Sequence, residues 1–545
     1  MADVVKLLRL YDELKQDKGD VATHLQDIAA VMLPRRGGLA GGSEPEGNRL
    51  NDEIFDSTPQ QAARGLAAAI GTMIRRDGDR WFFMRAEDQR LNEDDEARAW
   101  FEDSEKRMLR RAFDNPKSRF RQAAAEADLD LVVFGTAAMF AGENQDINGM
   151  LYQTLNLKDT FIITNHQGNV DGLIRRHMLN SRQAHQFFGN KVAQSIKDQD
   201  DTVGKGKKVE HIHVVLPREE RNLGSISTRL PYMSIWIEVS GKELLTESGF
   251  NEFPYVVPRF DTTAGEDWGR GPGMIALPDA NMLQAMDETI IISGQKRVEP
   301  PILVPDDGSF NAANTFSGGI SYYDAELAKE MGRIPIAPLD TGADIAIGLE
   351  MQQDRREQVR NAFFKNVMNL PVDGPEMTAT EVIKRDQEFM REMGGIFGRL
   401  ESDYTSPLVE RTFNVMLRAG AFREIPEILQ GQNIRFEYES PLKKVRQQIE
   451  AAAARNWKDD LLLLAGSGKP EVLDVINADE YAEFQATANG VPLKVMNDSV
   501  AVGKIREERA EAQQAAAQME QLQGLAEGGE KATRAVKNLG DAQRE

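Results

Sequence analysis

Residues 377–422 read MTATEVIKRDQEFMREMGGIFGRLESDYTSPLVERTFNVMLRAGAF, a pattern that announces one unusually long helix. Thr378 and Glu381 have the spacing of a capping box, in which a hydroxyl and a carboxylate satisfy the orphan N–H groups of a helix start. Met377 and Val382 are placed to close a hydrophobic staple around it. Apolar side chains then recur at Val382, Phe389, Met393, Ile396, Leu400, Tyr404 and Leu408, mostly three or four apart, which marks a single buried stripe. At 1.5 Å per residue the segment would run roughly 60 Å. Pro407 interrupts it and predicts a kink. A helix of that length needs a scaffold or a neighbouring subunit to cover its stripe.

Working outward from this helix, most of the chain is also helical. Val4 to Met32 carries Leu7, Leu8, Tyr11, Leu14, Leu25 and Ile28 near helical spacing, and Leu33-Pro-Arg-Arg-Gly37 stops it before a glycine-rich loop, 37–47. In Asp56-Ser-Thr-Pro-Gln-Gln61, Thr58 suits an N-cap, Pro59 the first helical position and Gln61 a second capping box, opening an alanine-rich helix to about Ile74. Trp81 to Met84 reads as a short buried strand, and Arg119 to Met139 as helix. From Leu151 to Val257 the pattern changes to short strands, as in Phe161-Ile-Ile-Thr164, Val209 to Leu216 and Tyr232 to Val239. Helix returns near Pro278. Between Pro300 and Pro338, prolines, glycines and short apolar runs lie between two helices, which predicts a β-containing insertion at the tip of a helical hairpin. The second arm, about Ala343 to Phe364, has a charged middle, and a loop from Lys365 to Pro375 leads into the long helix. After Pro441 nearly every residue is a helix former, and 502–545 have too few large apolar groups to hold a lone helix. The fold class is therefore mainly α with smaller β parts.

A chain of 545 residues with 41% apolar and 28% charged residues has material for several packed domains. It contains no cysteine, which removes disulfides, thiolate metal sites and cysteine nucleophiles. No apolar run reaches the ~18 residues of a membrane helix. Leu129 to Ala141, the nearest, is short and carries Gly135 and Thr136, so no membrane span is expected. The net charge of −21 and pI of about 5.0 argue against a tight binder of duplex DNA, whose affinity comes from neutralised phosphates. They are compatible with a surface past which DNA slides.

No motif carries convincing catalytic chemistry. Ala465-Gly-Ser-Gly-Lys-Pro470 lacks the first glycine of a phosphate loop and has proline where the Mg²⁺-binding hydroxyl belongs, so it reads as an interhelix turn. Gly269-Arg-Gly-Pro-Gly273 reads as a tight connection. Asn144 to Gly149 begins like a calcium loop, but its twelfth position is Leu155 rather than a bidentate Glu. His211 and His213 point to one face of a strand; a metal would need a third ligand, and a surface or interface pair is the simpler expectation. Asp306-Asp307 before Gly308 is most simply a turn. The aromatic pairs Tyr322-Tyr323 and Phe363-Phe364 suit core or subunit contacts better than base stacking. The mixed charges from Asp354 to Lys365 form either a solvated helix face or the lining of a channel.

Several short pieces, taken in order, carry a resemblance: Leu33-Pro-Arg-Arg-Gly37, Phe55-Asp-Ser-Thr58, Phe134-Gly-Thr136, Gly269-Arg-Gly-Pro272 with Ala276-Leu-Pro-Asp279, Met377-Thr-Ala-Thr-Glu-Val382, Ser406-Pro-Leu408 and Leu417-Arg-Ala-Gly420. Through them the chain resembles the head-to-tail connector, or portal, proteins of short-tailed bacteriophages over roughly its first four-fifths. The resemblance implies a portal fold with wing, stem, clip and crown. Its parts would be a wing at 1–277, stem helices at 278–298 and 343–364, a clip at 299–342 and a tunnel loop at 365–377. A long kinked wing helix with a following strand would occupy 378–440, a crown 441–501, and a C-terminal helical barrel or tail 502–545. It implies a dodecameric ring at one capsid vertex, through which double-stranded DNA slides non-specifically during packaging and ejection. Partners would be the terminase large subunit, tail adaptor or nozzle proteins, and capsid and scaffolding proteins. The protein would reside in the virion, and in the host cytoplasm during assembly. Arg355, Arg356, Arg360, Lys365, Asn366 and Asn369 would be candidates to face the DNA; Asp306, Asp307, Phe310, Tyr322 and Tyr323 would be candidates to dock partners at the clip. No enzymatic activity, cofactor or metal is implied. The competing expectation, an ATPase or nuclease of the packaging machinery, requires a nucleotide loop or an acidic metal cluster, and the sequence offers neither.

Overall fold

A computed structural model describes residues 3–41, 52–75, 80–144, 149–197, 208–218, 229–298, 345–365, 391–438, 441–466, 469–488 and 501–515, with short pieces between 302 and 338 and residue 497. The capping box at Thr378 lies outside the described residues. The chain divides into two units, Met1–Leu442 and Lys443–Glu545.

Helix α1 (Val4–Met32) begins where the carboxylate of Asp3 accepts the N–H groups of Val5 and Lys6. Its 29 residues span about 43 Å, long enough to serve two cores. Leu7, Leu8 and Tyr11 pack on one face of a five-stranded antiparallel sheet, against Phe161, Ile174 and Ile212. Leu25, Ile28 and Met32 enter the main core. Midway, the buried Lys18 ammonium donates to the carbonyls of Leu157 and Thr160, which fixes the helix to the edge of the sheet.

That sheet is a meander of β4 (Thr160–Thr164), β5 (Val170–Leu179), β6 (Val209–Pro217), β7 (Tyr232–Glu238) and β8 (Glu243–Phe250). Its second face is covered by Ala184, Phe188, Val192 and Ile196. His211 and His213 sit on this covered face and are buried, which corrects the expectation of a surface or interface pair. His213 is satisfied on both nitrogens, by the Tyr255 hydroxyl and the Ser234 hydroxyl at 2.8 Å each, and stacks on Trp236 at 4.4 Å. His177 lies directly across from His211 in the β5–β6 register. Burial, then neighbouring Arg175 and His211, push the His177 imidazole down to about 3, and burial with His177 and Arg175 does the same to His213.

The main core is helical. Helix α2 (Thr58–Ile74) starts one residue earlier in capping terms than its sequence suggests: Thr58 is inside the helix, Asp56 accepts the Thr58 N–H at 2.6 Å, and Gln61 Nε2 donates to Ser57 Oγ at 2.9 Å. Strand β1 (Phe82–Ala86) pairs antiparallel with β12 (Ile434–Tyr438), bringing together segments about 350 positions apart. Its outer edge is closed by side chains, since Glu105 accepts the Met84 N–H and Asn92 the Ala86 N–H, so β1 presents no open ladder to a stray strand. Helices α3 (Asp95–Met108) and α4 (Phe120–Phe134) follow. Helix α4 stops well short of Met139, because Gly135 caps it in the left-handed region at φ 75°, and Met139 already belongs to β2 (Met139–Asn144). Strands β3 (Gly149–Thr154) and β9 (Tyr255–Val256) flank β2. Leu155, at the twelfth position of the supposed calcium loop, is a core residue.

Gly269 to Gly273 is a tight connection, and the structure supplies its reason. The chain here crosses the end of α4 so closely that a Cβ on Gly135 would lie 2.4 Å from the Arg270 carbonyl carbon, and one on Gly269 would lie 2.3 Å from the Gly135 oxygen. The crossing is pinned by Gly269 N–H donating to Thr136 Oγ1 at 2.8 Å and Phe260 N–H donating to the Gly135 carbonyl at 2.8 Å. Beyond it a helix runs over Pro272–Val298, six residues ahead of the expected start; Pro272 suits a first turn, and Pro278 is carried inside.

The long helix is present from 391 onward, with Met393, Leu400, Tyr404 and Leu408 of the stripe buried, Ile396 half-buried and Phe397 buried beside it. The interruption expected at Pro407 takes the form of a π-helical turn, Glu401–Thr405, in which the Ser406 N–H reaches back five residues to the Glu401 carbonyl. Proline has no N–H for the Asp403 carbonyl and its ring presses on that group; one extra residue in the turn relieves both. The helix resumes over Ser406–Arg418.

In the second unit a helix ends at Gly466 and another spans Ala478–Ala488. They touch through Gln485 Nε2 donating to the Ala451 carbonyl at 2.8 Å, and Arg506 pairs with Asp479. Leu462, Leu463 and Leu464 are exposed on the first of these helices.

Two outcomes follow from this architecture. Gly135→Ala should cost more than about 3 kcal/mol in chemical denaturation, because left-handed strain of ~1–2 kcal/mol adds to a backbone collision. Gly168→Ala, also left-handed at φ 80° but with nothing near its Cβ, should cost only about 1 kcal/mol. Because His177 and His213 bind protons more weakly folded than unfolded, the stability they support is whole above about pH 6.5 and falls as pH drops toward 3. His177→Phe, which keeps a ring against Trp236, should flatten the fall in melting temperature over that window.

Candidate functional site: a helical hairpin and its charged base

The helix Pro272–Val298 and the helix Ile345–Ala362 form an antiparallel hairpin. The arms approach closely at Gly348, where a Cβ would stand 3.3 Å from Ile290 Cγ1. At the far end β10 (Ile302–Leu303) pairs antiparallel with β11 (Ala337–Pro338), so the insertion does begin and end as a β ribbon. Asp306, Asp307, Phe310, Tyr322 and Tyr323 lie outside the described residues, as do Asn366 and Asn369.

At the near end the hairpin is tied down by charge. Arg355 Nη1 is 2.9 Å from Asp279 Oδ1 on the opposite arm. Arg356 Nε donates to Asp56 Oδ2 at 2.6 Å, at the start of α2, and its Nη2 stands 3.9 Å from Asp287 Oδ1. Gln284 of the first arm completes the joint: its side-chain oxygen accepts the Phe55 and Asp56 N–H groups at 2.8 and 3.0 Å, and its amide donates to the Asp56 carbonyl at 2.7 Å. Burial works against a charge on Asp56, but the Thr58 hydroxyl and N–H together with Arg356 hold its carboxyl below the usual range. Asp287 is the opposite case. Burial first, and the facing Asp56 carboxyl second, push it up to about 6.

The second arm then ends in the core. Val359 and Phe363 are fully buried, and Phe364 turns the chain out of the helix in the left-handed region at φ 55°. The aromatic pair therefore packs inward rather than lining a surface. Of the four cations expected to face DNA, Arg355 and Arg356 are engaged by acidic residues of this same chain, whereas Arg360 and Lys365 form no ion pair among the described residues. Asp56, Asp279, Gln284 and Asp287 are the residues that the sequence did not single out. Asp56 and Asp279 at least stood inside the short pieces that carried the resemblance; nothing local marked Gln284 or Asp287.

A second charged joint lies at the other end of α2. Arg75, its C-cap, forms a buried ion pair with Asp128 of α4 and lies over the ring of Tyr404, 4.8 Å from its centroid. Tyr404 belongs to the π turn. Among the described residues no group of three or more His, Cys, Asp or Glu is arranged to hold a metal ion, and no helix is long and apolar enough to cross a membrane.

These features define a scaffold whose distinctive part is a core-anchored, charge-locked helical hairpin. The chain belongs to the bacteriophage head to tail connecting protein family, which matches residues 5–496. It is 28% identical over 519 residues to a probable portal protein of Bordetella phage BPP-1, covering 94% of this chain and 92% of that one. It is 27% identical over 531 residues to the portal protein of Salmonella phage epsilon15, covering 96% and 94%. Among solved structures, the neck of an empty gene transfer agent particle aligns with a TM-score of 0.36 at 12% identity over 85% of this chain and 94% of that one.

Arg356→Ala should destabilise the protein by roughly 2 kcal/mol in urea unfolding, since it leaves Asp56 buried without its cation while Arg356 itself is a third exposed. Arg360→Ala should stay within about 0.5 kcal/mol of the parent.

Proposed function

We propose that this chain is the structural subunit of a phage portal, assembling with copies of itself into a ring that conducts the viral genome. The observation that carries this reading is the apolar surface of the hairpin. Ile275, Ile291, Ile292 and Val298 on one arm, and Ile347 and Met351 on the other, are exposed by between 42 and 82% of their area. Large aliphatic side chains in that number on one isolated element are a feature of interaction surfaces. In a family of head-to-tail connectors, the natural cover is the neighbouring subunit. A heterologous contact of this kind closes into a ring when its rotation divides a full turn, and a dodecamer is the expected number.

In this reading the hairpin is the stem, its β-tipped end within 299–342 the clip, and 365–377 the tunnel loop. Residues 1–277 and 378–440 form the wing, 441–501 the crown and 502–545 a barrel or tail. The clip meets the terminase large subunit during packaging and tail adaptor proteins afterwards, while capsid and scaffolding proteins surround the wing at one vertex of the virion. Motor chemistry resides in the partner ATPase, and the portal contributes no catalysis. The strong net negative charge suits a conduit, because DNA passes an acidic wall without adhering. Arg360 and Lys365, which no acidic group of the described residues neutralises, are the cations available to touch phosphates.

Negative-stain images of the purified protein should show rings of about twelve-fold symmetry with a central hole. Ile291→Glu combined with Met351→Glu should yield folded monomers instead. Compact monomers from the unmodified chain at micromolar concentration would overturn the proposal.

A further inference from the structure

We propose that Asp56 and Asp287 share a single proton at the base of the hairpin, and that losing it loosens the first arm from α2 and from the second arm. Three carboxylate-bearing or cationic groups meet here, Asp56, Asp287 and Arg356, and one guanidinium neutralises only one carboxylate. The geometry says which. Arg356 sits 2.6 Å from Asp56 and 3.9 Å from Asp287, and Asp56 also accepts the Thr58 N–H. Asp56 is thus equipped to stay ionised, and Asp287 is left as the surplus acid.

Asp287 is buried, at 7% exposure, and its Oδ2 has no hydrogen-bond partner. An ionised carboxylate with a dry, unpaired oxygen is costly. A proton on Asp287 removes the charge and turns the pair into an O–H donor facing a carboxylate acceptor, a short and strong arrangement. The charged groups that act on Asp287 are Asp56 and Arg356. The other charges nearby are directed elsewhere: Arg355 is paired with Asp279 and Asp354, Glu357 accepts from Gln353 at 3.5 Å, and Glu288 is exposed on its own helix. Gln284, one turn before Asp287, spends its amide on the α2 backbone.

The sign of the effect follows from the direction of the shift. A carboxyl raised from 3.8 to about 6 in the fold supports stability that is whole below about pH 4 and is lost as pH rises through 6. The junction is therefore tightest in mild acid and carries two facing carboxylates at neutral pH. This places a proton-controlled joint at the point where the hairpin leaves the core, and it does not depend on ring formation.

The test compares the full-length protein with Asp287→Asn, whose amide keeps a donor and carries no charge. By hydrogen exchange corrected for intrinsic rates, the backbone around 284–290 should open on the order of tenfold less often in the variant than in the parent at about pH 8. The two should match at about pH 5. An unchanged difference between the proteins across that range would overturn the proposal. Should the variant fail to fold, infrared difference spectra of the parent decide the matter: a protonated carboxyl band lost near pH 6 is expected, and its absence at pH 5 sinks the shared proton.

Discussion

The described structure depends on one rod held by ion pairs at both ends. Helix α2 runs about 25 Å from Asp56 to Arg75. Its beginning grips the second arm of the hairpin through Asp56 and Arg356, and its end grips α4 and the π turn through Arg75, Asp128 and Tyr404. These two anchors lie on either side of the segment 366–390 in the chain.

Charged groups make expensive anchors, since taking two ions out of water offsets most of their attraction. Their use here suits a surface that must be specific rather than merely stable. The arms of the hairpin expose aliphatic side chains, and an apolar base would have let them slide along α2 or pack in several registers. Ion pairs with hydrogen-bond geometry admit one register. The same requirement accounts for the places of Arg355 and Arg356, which pair with Asp279 and Asp56 and so set the hairpin against α2.

The short pieces scattered through the sequence acquire a common meaning in three dimensions. Phe134-Gly-Thr136 and Gly269-Arg-Gly-Pro272 are the two sides of one backbone crossing. Phe55-Asp-Ser-Thr58 and Ala276-Leu-Pro-Asp279 hold opposite sides of the hairpin base. Arg36, from the turn after α1, pairs with Asp130 on α4. Each of these pieces marks a place where distant parts of the chain cross closely or exchange side-chain contacts.

Local physics made much of this protein legible from its sequence. The bounds of α1, the end of α2, three strands of the meander (β4, β6 and β7) and most of the buried stripe from Met393 to Leu408 follow from periodicity, capping residues and prolines, which act within a turn or two. Pro407 announced an interruption, although only the packed helix decided that it would be a π turn pointing Tyr404 at Arg75. The histidines were misplaced because a strand pattern shows which residues share a face but not that a second layer covers it. Asp287 and Gln284 carried no local signal at all, and Arg355 and Arg356 stood in a mixed-charge run that did not show which acids they would meet. Their partners lie about 70 to 300 positions away, and an ion pair across that separation is chosen by which helices the core brings together.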